Sequence, residues 1–271
     1  MIPYRDENPV RRRAVVTFAL LVLNIGVFTL LQHHGRTTPL IELPRPSSSF
    51  ELEENSTSFL YARAAIPCEI LHQRALSVAE ITRTLDAGED DSCGKAGAGA
   101  ARFQQPLFPE KLIWLSVLSS MFLHGDIVHL AGNILFLWLF GNNIEDRWGH
   151  FRYLLFYLVG GFIATLGHAL AAPASTVPLV GASGAIAAVM GAYLVLFPRV
   201  DIRALLGIFP IRVKAWMLLG VWFVSQFFIG PTAGVAWMAH VVGFVFGIVV
   251  ATVARRIDHQ DEPVTRLRVR R

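Results

Sequence analysis

Residues 178–186 read Pro-Leu-Val-Gly-Ala-Ser-Gly-Ala-Ile and place one serine, Ser183, among small residues. This serine lies in an apolar run with no charged residue from Ala169 to Phe197. A second polar side chain, His240, stands in a similar run at 237–243, Trp-Met-Ala-His-Val-Val-Gly. Polar side chains are costly in lipid and usually face a protein interior or a water-filled cavity. We therefore predict that Ser183 and His240 meet inside the membrane as a nucleophile and its base.

The composition is that of a protein that crosses a membrane several times. Of the 271 residues, 54% are hydrophobic and 16% are charged, and the mean hydropathy is +0.49. The net charge of +4 could indicate nucleic-acid binding. However, most basic residues stand at the ends of apolar segments, where the positive-inside rule explains them better. The expected partner is therefore the lipid bilayer, and no nucleic acid.

Six apolar segments come near the ~20 residues that a helix needs to cross a bilayer. They lie at 14–32, 122–141, 151–171, 182–198, 214–230 and 235–254. We therefore predict an all-α membrane protein with a bundle of six transmembrane helices. The first segment follows Arg11, Arg12 and Arg13. It is long for a signal peptide and is interpreted as a retained helix.

Lysine and arginine predict the orientation of the chain. They occur before segment one, after segments two, four and six, and not in the short links after segments three and five. Both termini are thus predicted to be cytoplasmic, in the plasma membrane. The predicted parts are a cytoplasmic N-terminal segment (1–13), the first helix (14–32), an extracytoplasmic loop region (33–121), the remaining five helices (122–254) and a basic cytoplasmic tail (255–271).

The loop region 33–121 is mixed in character. Pro44, Pro46 and three following serines predict irregular chain, and residues 69–85 have a helical pattern. Residues 112–123 are apolar but short, which favours an interfacial helix.

Both cysteines of the chain, Cys68 and Cys93, fall in this loop region. An oxidising exterior would allow a disulfide between them, and two free thiols are the alternative. Their number and spacing do not make a metal site.

Four polar residues converge in this topology. His129 and Asn133 lie four apart, hence on one helix face near the start of segment two. Segments two, four and six all run inward, so these two residues, Ser183 and His240 fall near outer helix ends at similar depth.

This set has the chemistry of an activated nucleophile. A serine hydroxyl attacks well only when a neighbouring base takes its proton, and neutral imidazole suits that role. The oxyanion that follows needs fixed donors, which His129, Asn133 and the backbone N–H of Ser183 could supply. Pro178 and Gly181 disfavour a regular helix before the serine.

Small residues predict close helix packing near the site. Segment six has Ala239, Gly243 and Gly247 at four-residue spacing, and segment four has Gly184 and Ala188. Such spacing lets helix backbones approach closely, which would bring His240 within reach of Ser183. We assign Gly181, Gly184, Gly243 and Gly247 to packing near the site.

Together these motifs resemble the rhomboid family of intramembrane serine proteases over about 112–254. The resemblance rests on Gly-Ala-Ser-Gly at 181–184, Ala-His at 239–240 with Gly243, His-Leu-Ala-Gly-Asn at 129–133 and Glu-Asp-Arg at 145–147. It implies a dyad of Ser183 and His240 with no aspartate partner. It also implies oxyanion roles for His129 and Asn133 and a structural role for Glu145 and Arg147.

The resemblance further implies the substrates. These are transmembrane proteins, cut in or near their membrane helices, preferably at helix-breaking residues near the outer face. No metal or cofactor is implied.

Simpler interpretations of single residues stay open. Ser183 could bond its own backbone, and His129 with Asn133 could tie two helices together. His124 and His168 are interpreted as structural or interfacial, and Glu145 with Arg147 as a solvated loop pair. Two other functions are a catalytically inactive relative that binds membrane proteins, and a small transporter or channel.

Overall fold

The computed structural model describes residues 2–32, 56–95, 101–230 and 234–260. Helices dominate this part of the chain. In chain order the elements are β1 (Ile2–Asp6), α1 (Val15–Gly26, continued by a π-helical stretch Val27–Gln32), α2 (Ser56–Arg63), α3 (Pro67–His72), α4 (Val78–Ala87), a 3₁₀ turn (Ala101–Gln104), α5 (Ile113–Ser119, followed by a 3₁₀ turn Ser120–Phe122), α6 (Ile127–Phe136, continued by a π-helical stretch Leu137–Gly141), α7 (Asn142–Trp148), α8 (His150–Ala171), α9 (Ser183–Leu196), β2 (Asp201–Leu206), β3 (Phe209–Lys214), α10 (Ala215–Gln226) and α11 (Trp237–Gln260).

Among the described residues, four helical spans are long and apolar enough to cross a membrane: Val15–Gln32, Ile127–Trp148, His150–Ala171 and Trp237–Ile257. Two further apolar helices, α9 and α10, have 14 and 12 residues. Both are shorter than the ~20 residues of a full crossing. The protein is thus a mostly helical, multi-pass membrane protein.

Several predicted segment boundaries differ from the structure by a few residues. Segment two begins at Ile127 rather than 122, because the Asp126 carboxylate accepts bonds from the N–H groups of Val128 and His129, at 2.7 and 2.8 Å. The last helix continues to Gln260, six residues into the predicted tail 255–271. Residues 261–271 lie outside the described part.

The predicted helical fold is confirmed in that the described chain is mostly helical, but the chain also forms a three-stranded antiparallel sheet in the order β1-β2-β3, which an all-α fold does not include. Leu206 pairs with Phe209 across a two-residue hairpin turn in which Gly207 has φ +63°. On the other edge, Ile2 pairs with Leu205. The sheet follows the C-terminal end of α9, hence the end opposite Ser183.

Helix α9 is the centre of the bundle, and it is buried from Gly184 to Tyr193. It packs mainly against α11 and α8. A Cβ added at Gly243 would overlap the carbonyl oxygen of Gly184, and one at Gly247 would overlap that of Ala188. The helices α9 and α11 are therefore in backbone contact, as the small-residue spacing indicates.

Glu145 is buried at the N-terminus of α1, which contradicts its interpretation as a solvated loop residue. Its carboxylate accepts bonds from the N–H groups of Val16 and Thr17, both at 2.8 Å, and from the Thr17 hydroxyl at 2.7 Å. The His150 ring nitrogen lies 2.5 Å from the same carboxylate. A carboxylate at a helix N-terminus satisfies N–H groups that have no partner within the helix.

Residues 56–95 and 101–111, called the insert below, form a small unit with a hydrophobic cluster of their own. The members of this cluster include Tyr61, Ile66, Leu76, Val78, Ile81 and Leu107. The helical pattern predicted for 69–85 corresponds to α3 and α4, which are separated by a turn where Gln73 has φ +51°. The irregular chain predicted around Pro44 to Ser49 lies outside the described residues.

Buried ionic groups form ion pairs and hydrogen bonds within the insert. The Lys111 ammonium lies 2.5 Å from the Glu69 carboxylate, and both side chains are almost fully buried. Burial raises the pKa of Glu80, but hydrogen bonds from Arg74, the Gly94 N–H and Ser77 outweigh it and lower that pKa to about 2. Glu80 also closes a capping box with Ser77 at the start of α4.

A disulfide joins Cys68 to Cys93, with an S–S distance of 2.04 Å. The same two residues hold the loop that leads from α8 to α9. The Cys68 N–H donates to the Ser175 carbonyl at 3.0 Å, and the Cys93 N–H donates to the Ala174 carbonyl at 3.3 Å. Backbone hydrogen bonds therefore connect the insert to the segment that precedes Ser183.

Reduction of this disulfide is expected to destabilise the insert by about 3 kcal/mol, because the unfolded chain would regain the freedom of a closed loop. The bridge joins residues 25 apart in the sequence. Amide hydrogen exchange in α4 should then accelerate roughly 100-fold. In the double variant Cys68→Ser/Cys93→Ser, exchange should be fast with or without reductant. Unchanged exchange of the reduced wild-type protein would contradict this prediction.

Candidate active site

Ser183 is the first residue of α9, and Ala182 stands at the N-cap. Alanine has no side-chain acceptor, so the first N–H groups of this helix stay available to another partner. The preceding Gly181 has φ +117°, and its N–H donates to the Ser120 carbonyl at 2.9 Å. Because the chain turns sharply at Gly181, the Ser183 side chain and the uncapped N–H groups at the start of α9 lie close together.

Position 181 favours glycine for two reasons, its positive φ and the closeness of neighbouring side chains. A Cβ at this position would lie 2.8 Å from Cε1 and Nε2 of His129 and 3.5 Å from Nδ2 of Asn133. Gly181 thus packs against α6, whereas Gly184, Gly243 and Gly247 lie in the contact between α9 and α11. Only a residue without a side chain lets the loop before Ser183 approach α6 so closely.

The Ser183 hydroxyl lies 2.8 Å from Nε2 of His240, which is a hydrogen-bond distance. The two residues are 57 positions apart in the chain, on α9 and α11. The close approach of these helices at Gly184 and Gly243 accounts for the contact, since any side chain at Gly243 would overlap the α9 backbone.

His129 and Asn133 lie on one face of α6, next to the loop that precedes the serine. Asn133 is only 7% exposed. Its Nδ2 is buried and has no hydrogen-bond partner within the described part of the chain. A buried amide without a partner costs free energy, so a donor left open here is suited to an incoming acceptor.

His124 supports His129 rather than the serine. The two rings pack edge to face with centroids 5.3 Å apart, and His124 is fully buried. The Gln32 side chain makes two hydrogen bonds to the backbone of His124. Its Nε2 donates to the His124 carbonyl, and the His124 N–H donates to its Oε1 at 3.0 Å. The structural role predicted for His124 agrees with this arrangement.

The sequence interpretation missed one residue of the site, Gln226. Its Oε1 lies 2.7 Å from Nδ1 of His240, on the side of the ring away from Ser183. Gln226 is the last residue of α10 and is 4% exposed. A glutamine in an apolar segment is a detectable signal, because an amide in lipid needs partners as a histidine does.

A small pocket opens beside the serine. Its polar lining residues are Ser120, Thr165 and Ser183. The others are small or apolar, among them Met121, Gly161, Leu179, Gly184 and Ala185. Ser183 is itself one of the lining residues, so a group bound in the pocket would lie next to this serine.

Comparisons with known proteins agree on one family. A family model described as the rhomboid domain matches residues 111–257, just over half of the chain. The mitochondrial Rhomboid protein 1 of Saccharomyces cerevisiae is 35% identical over 107 residues, which cover 38% of this chain and 30% of the relative.

Two bacterial relatives carry the word protease in their names. Rhomboid protease GluP of Bacillus subtilis is 40% identical over 81 residues, covering 30% of this chain and 15% of the relative. Rhomboid protease GlpG of Yersinia pestis is 28% identical over 139 residues, covering 51% of this chain and 47% of the relative. The chain thus spans less than half the length of each of these relatives.

Proposed function

The chain belongs to the rhomboid family, and we propose that it is an intramembrane serine endopeptidase that cleaves membrane-anchored proteins in or near their transmembrane helices. The observation that carries this proposal is the 2.8 Å contact between the Ser183 hydroxyl and Nε2 of His240. A serine and an imidazole in hydrogen-bond contact beside an open pocket form a nucleophile and its base.

In the proposed reaction, Ser183 attacks the carbonyl carbon of the scissile peptide bond while His240 accepts the hydroxyl proton on Nε2. The imidazolium then gives this proton to the leaving amine as the C–N bond breaks, which leaves an acyl-enzyme. Water attacks the ester with His240 again as base, and release of the acid restores the serine.

The oxyanion formed in both steps would be bound by the Ser183 N–H, the amide Nδ2 of Asn133 and the His129 ring. Two features support these roles. The first turn of α9 has no side-chain cap. The buried Nδ2 of Asn133 lacks a hydrogen-bond partner in the described residues. Donors that are already in place stabilise the transition state without reorganisation.

We further propose six membrane crossings, in which α9 and α10 are the two short ones. A helix of 14 residues is about 21 Å long, against ~30 Å for the hydrocarbon core. Ser183, at the start of α9, would then lie below the outer surface, where water can reach it.

The orientation is proposed with both termini in the cytoplasm, in the plasma membrane. Arg11, Arg12 and Arg13 before α1 support it. The Cys68–Cys93 disulfide also supports it, because disulfides persist in oxidising compartments and this orientation puts the insert outside the cell. The proposed parts are 1–13, 14–32, 33–121, 122–254 and 255–271 as predicted from the sequence, except that the last helix extends to Gln260 and the second membrane helix begins at Ile127.

Substrates are proposed to be transmembrane proteins that contain helix-breaking residues. A regular helix hides its carbonyl carbons behind hydrogen bonds and side chains, so a substrate must unwind before the serine can attack. Glycine and proline lower the cost of that unwinding.

The test is to incubate the purified protein with a panel of single-span membrane proteins and to identify fragments by mass spectrometry. We expect cuts in or near the membrane helix with wild-type protein and none with Ser183→Ala. Ser116→Ala is the matched control, since the Ser116 hydroxyl donates only to the Ile113 carbonyl of its own helix, at 2.6 Å. Absence of cleavage by wild type, or equal cleavage by Ser183→Ala, would favour an inactive relative.

A further inference from the structure

A buried amide stands behind His240 on the side of the ring opposite the serine. Oε1 of Gln226 is 2.7 Å from Nδ1 of His240. Nε2 of Gln226 is 2.9 Å from the Trp222 carbonyl oxygen and 3.3 Å from the Ser225 hydroxyl. The amide thus has partners at both ends, and its orientation is determined by them.

The carbonyl oxygen of Trp222 decides which end of the amide faces the histidine. A carbonyl only accepts hydrogen bonds, so the amide atom next to it is the NH₂ group. The oxygen of Gln226 therefore points at His240, and an amide oxygen also only accepts. Nδ1 of His240 must then carry the proton.

This assignment determines the state of the other ring nitrogen. A neutral imidazole has one protonated nitrogen, so Nε2 of His240 has the free lone pair. Nε2 is the atom that contacts the Ser183 hydroxyl at 2.8 Å. The chain of bonds from Trp222 through Gln226 and His240 to Ser183 thus selects the tautomer that can accept a proton from the serine.

We propose that Gln226 is a positioning residue that holds His240 in the Nδ1-protonated tautomer and orients its ring toward Ser183. This inference rests on the proposed peptidase function. When His240 takes the serine proton, Oε1 of Gln226 accepts a hydrogen bond from the imidazolium. The amide stays neutral throughout, so no buried carboxylate has to be desolvated.

Packing on the imidazole reinforces this role. The Trp222 ring lies 5.8 Å from the His240 ring, centroid to centroid, with 39° between the planes. Trp222 also provides the carbonyl that anchors Gln226. One turn of α10 therefore supplies both the ring contact and the hydrogen-bond acceptor that orient the base.

The test compares two substitutions of similar size. Gln226→Met removes the acceptor and is expected to lower kcat for a cleaved membrane substrate roughly 10- to 100-fold with KM unchanged, as for a lost hydrogen bond to a charged group. Gln226→Glu keeps an acceptor and should recover kcat to within about tenfold of wild type. The control is Asn24→Leu, which removes a buried amide of α1 that donates to the Leu20 carbonyl at 2.7 Å. It should keep kcat within about threefold.

Nitrogen-15 NMR of histidine-labelled protein reads the tautomer directly. The His240 signals, assigned by their loss in His240→Ala, should show a protonated Nδ1 in wild type and a mixture of tautomers in Gln226→Met. This measurement on wild type needs no variant of Gln226 to fold. A protonated Nε2 in neutral wild-type His240 would overturn the inference.

The activity measurements separate two kinds of failure. If the wild-type protein cleaves no substrate, or only substrates that Ser183→Ala also cleaves, the proposed function is wrong. The inference, which rests on that function, is then wrong as well. If wild type cleaves and Gln226→Met matches its kcat and KM, the inference alone is overturned.

Discussion

Replacing His240 by alanine is expected to slow the labelling of Ser183 by a fluorophosphonate by at least about 10³-fold. The reagent is attacked by the serine oxygen, which is a weak nucleophile without a base to take its proton. The Ser183–His240 distance of 2.8 Å leaves the imidazole in the position of that base. The same variant should lose cleavage of membrane substrates while its thermal unfolding stays within a few degrees of wild type.

The matched control is His168→Ala, which removes a histidine from the last turn of α8. This variant should be labelled at a rate within about tenfold of wild type. Labelling of His240→Ala at the wild-type rate would rule out the imidazole as the base. Labelling that persists in Ser183→Ala would show that the reagent reacts elsewhere.

The change Gly243→Leu is expected to destabilise the protein by at least about 3 kcal/mol and to abolish cleavage. A Cβ at this position would overlap the carbonyl oxygen of Gly184 and lie 3.4 Å from the Cβ of Ala187. Helix backbone cannot move aside as a side chain can, so α9 and α11 must separate. That separation would also pull His240 away from Ser183.

Thermal unfolding in detergent would measure this effect as a fall of roughly 10 °C in Tm. The control is Gly220→Leu on α10, because a Cβ at Gly220 meets no atom within 4 Å in the described structure. That variant should unfold within a few degrees of wild type. A fully active and equally stable Gly243→Leu protein would mean that the close packing of the two helices is dispensable.

Several features of this arrangement can be anticipated from local patterns. The apolar segments follow from residue-by-residue transfer free energies, and the small residues at 239, 243 and 247 show by their spacing where two helices touch. His129 and Asn133 share a helix face because they are four residues apart. Both residues lie close to Gly181, two positions before Ser183, which agrees with the expectation that they share the depth of this serine.

The sheet could not be anticipated in the same way. The strand β1 spans five residues, and its partner β2 begins near position 201, almost two hundred residues later. Short strands have weak propensities and become stable only when paired, so neither strand stands out locally. The charged link after α9 therefore appeared as a loop.

Glu145 and Gln226 are polar residues whose structural roles depend on tertiary contacts. A glutamate near a helix end usually faces water, but here donors from α1 and His150 surround it and it is buried. Hydropathy places Gln226 near the end of an apolar segment, yet it does not determine how α10 is rotated about its axis. That rotation alone turns the amide toward His240.

The amino-acid sequence by itself determined that the chain is apolar enough for a membrane, where its helices run, and which polar residues share a depth. These properties are local, because transfer free energy and helical spacing depend on residues near one another in the chain. Only the tertiary structure decided which side chains touch: Ser183 with His240, His240 with Gln226, and the insert with the loop before α9. A hydrogen bond tolerates only a few tenths of an ångström, and such distances are set by the rotation and packing of whole helices.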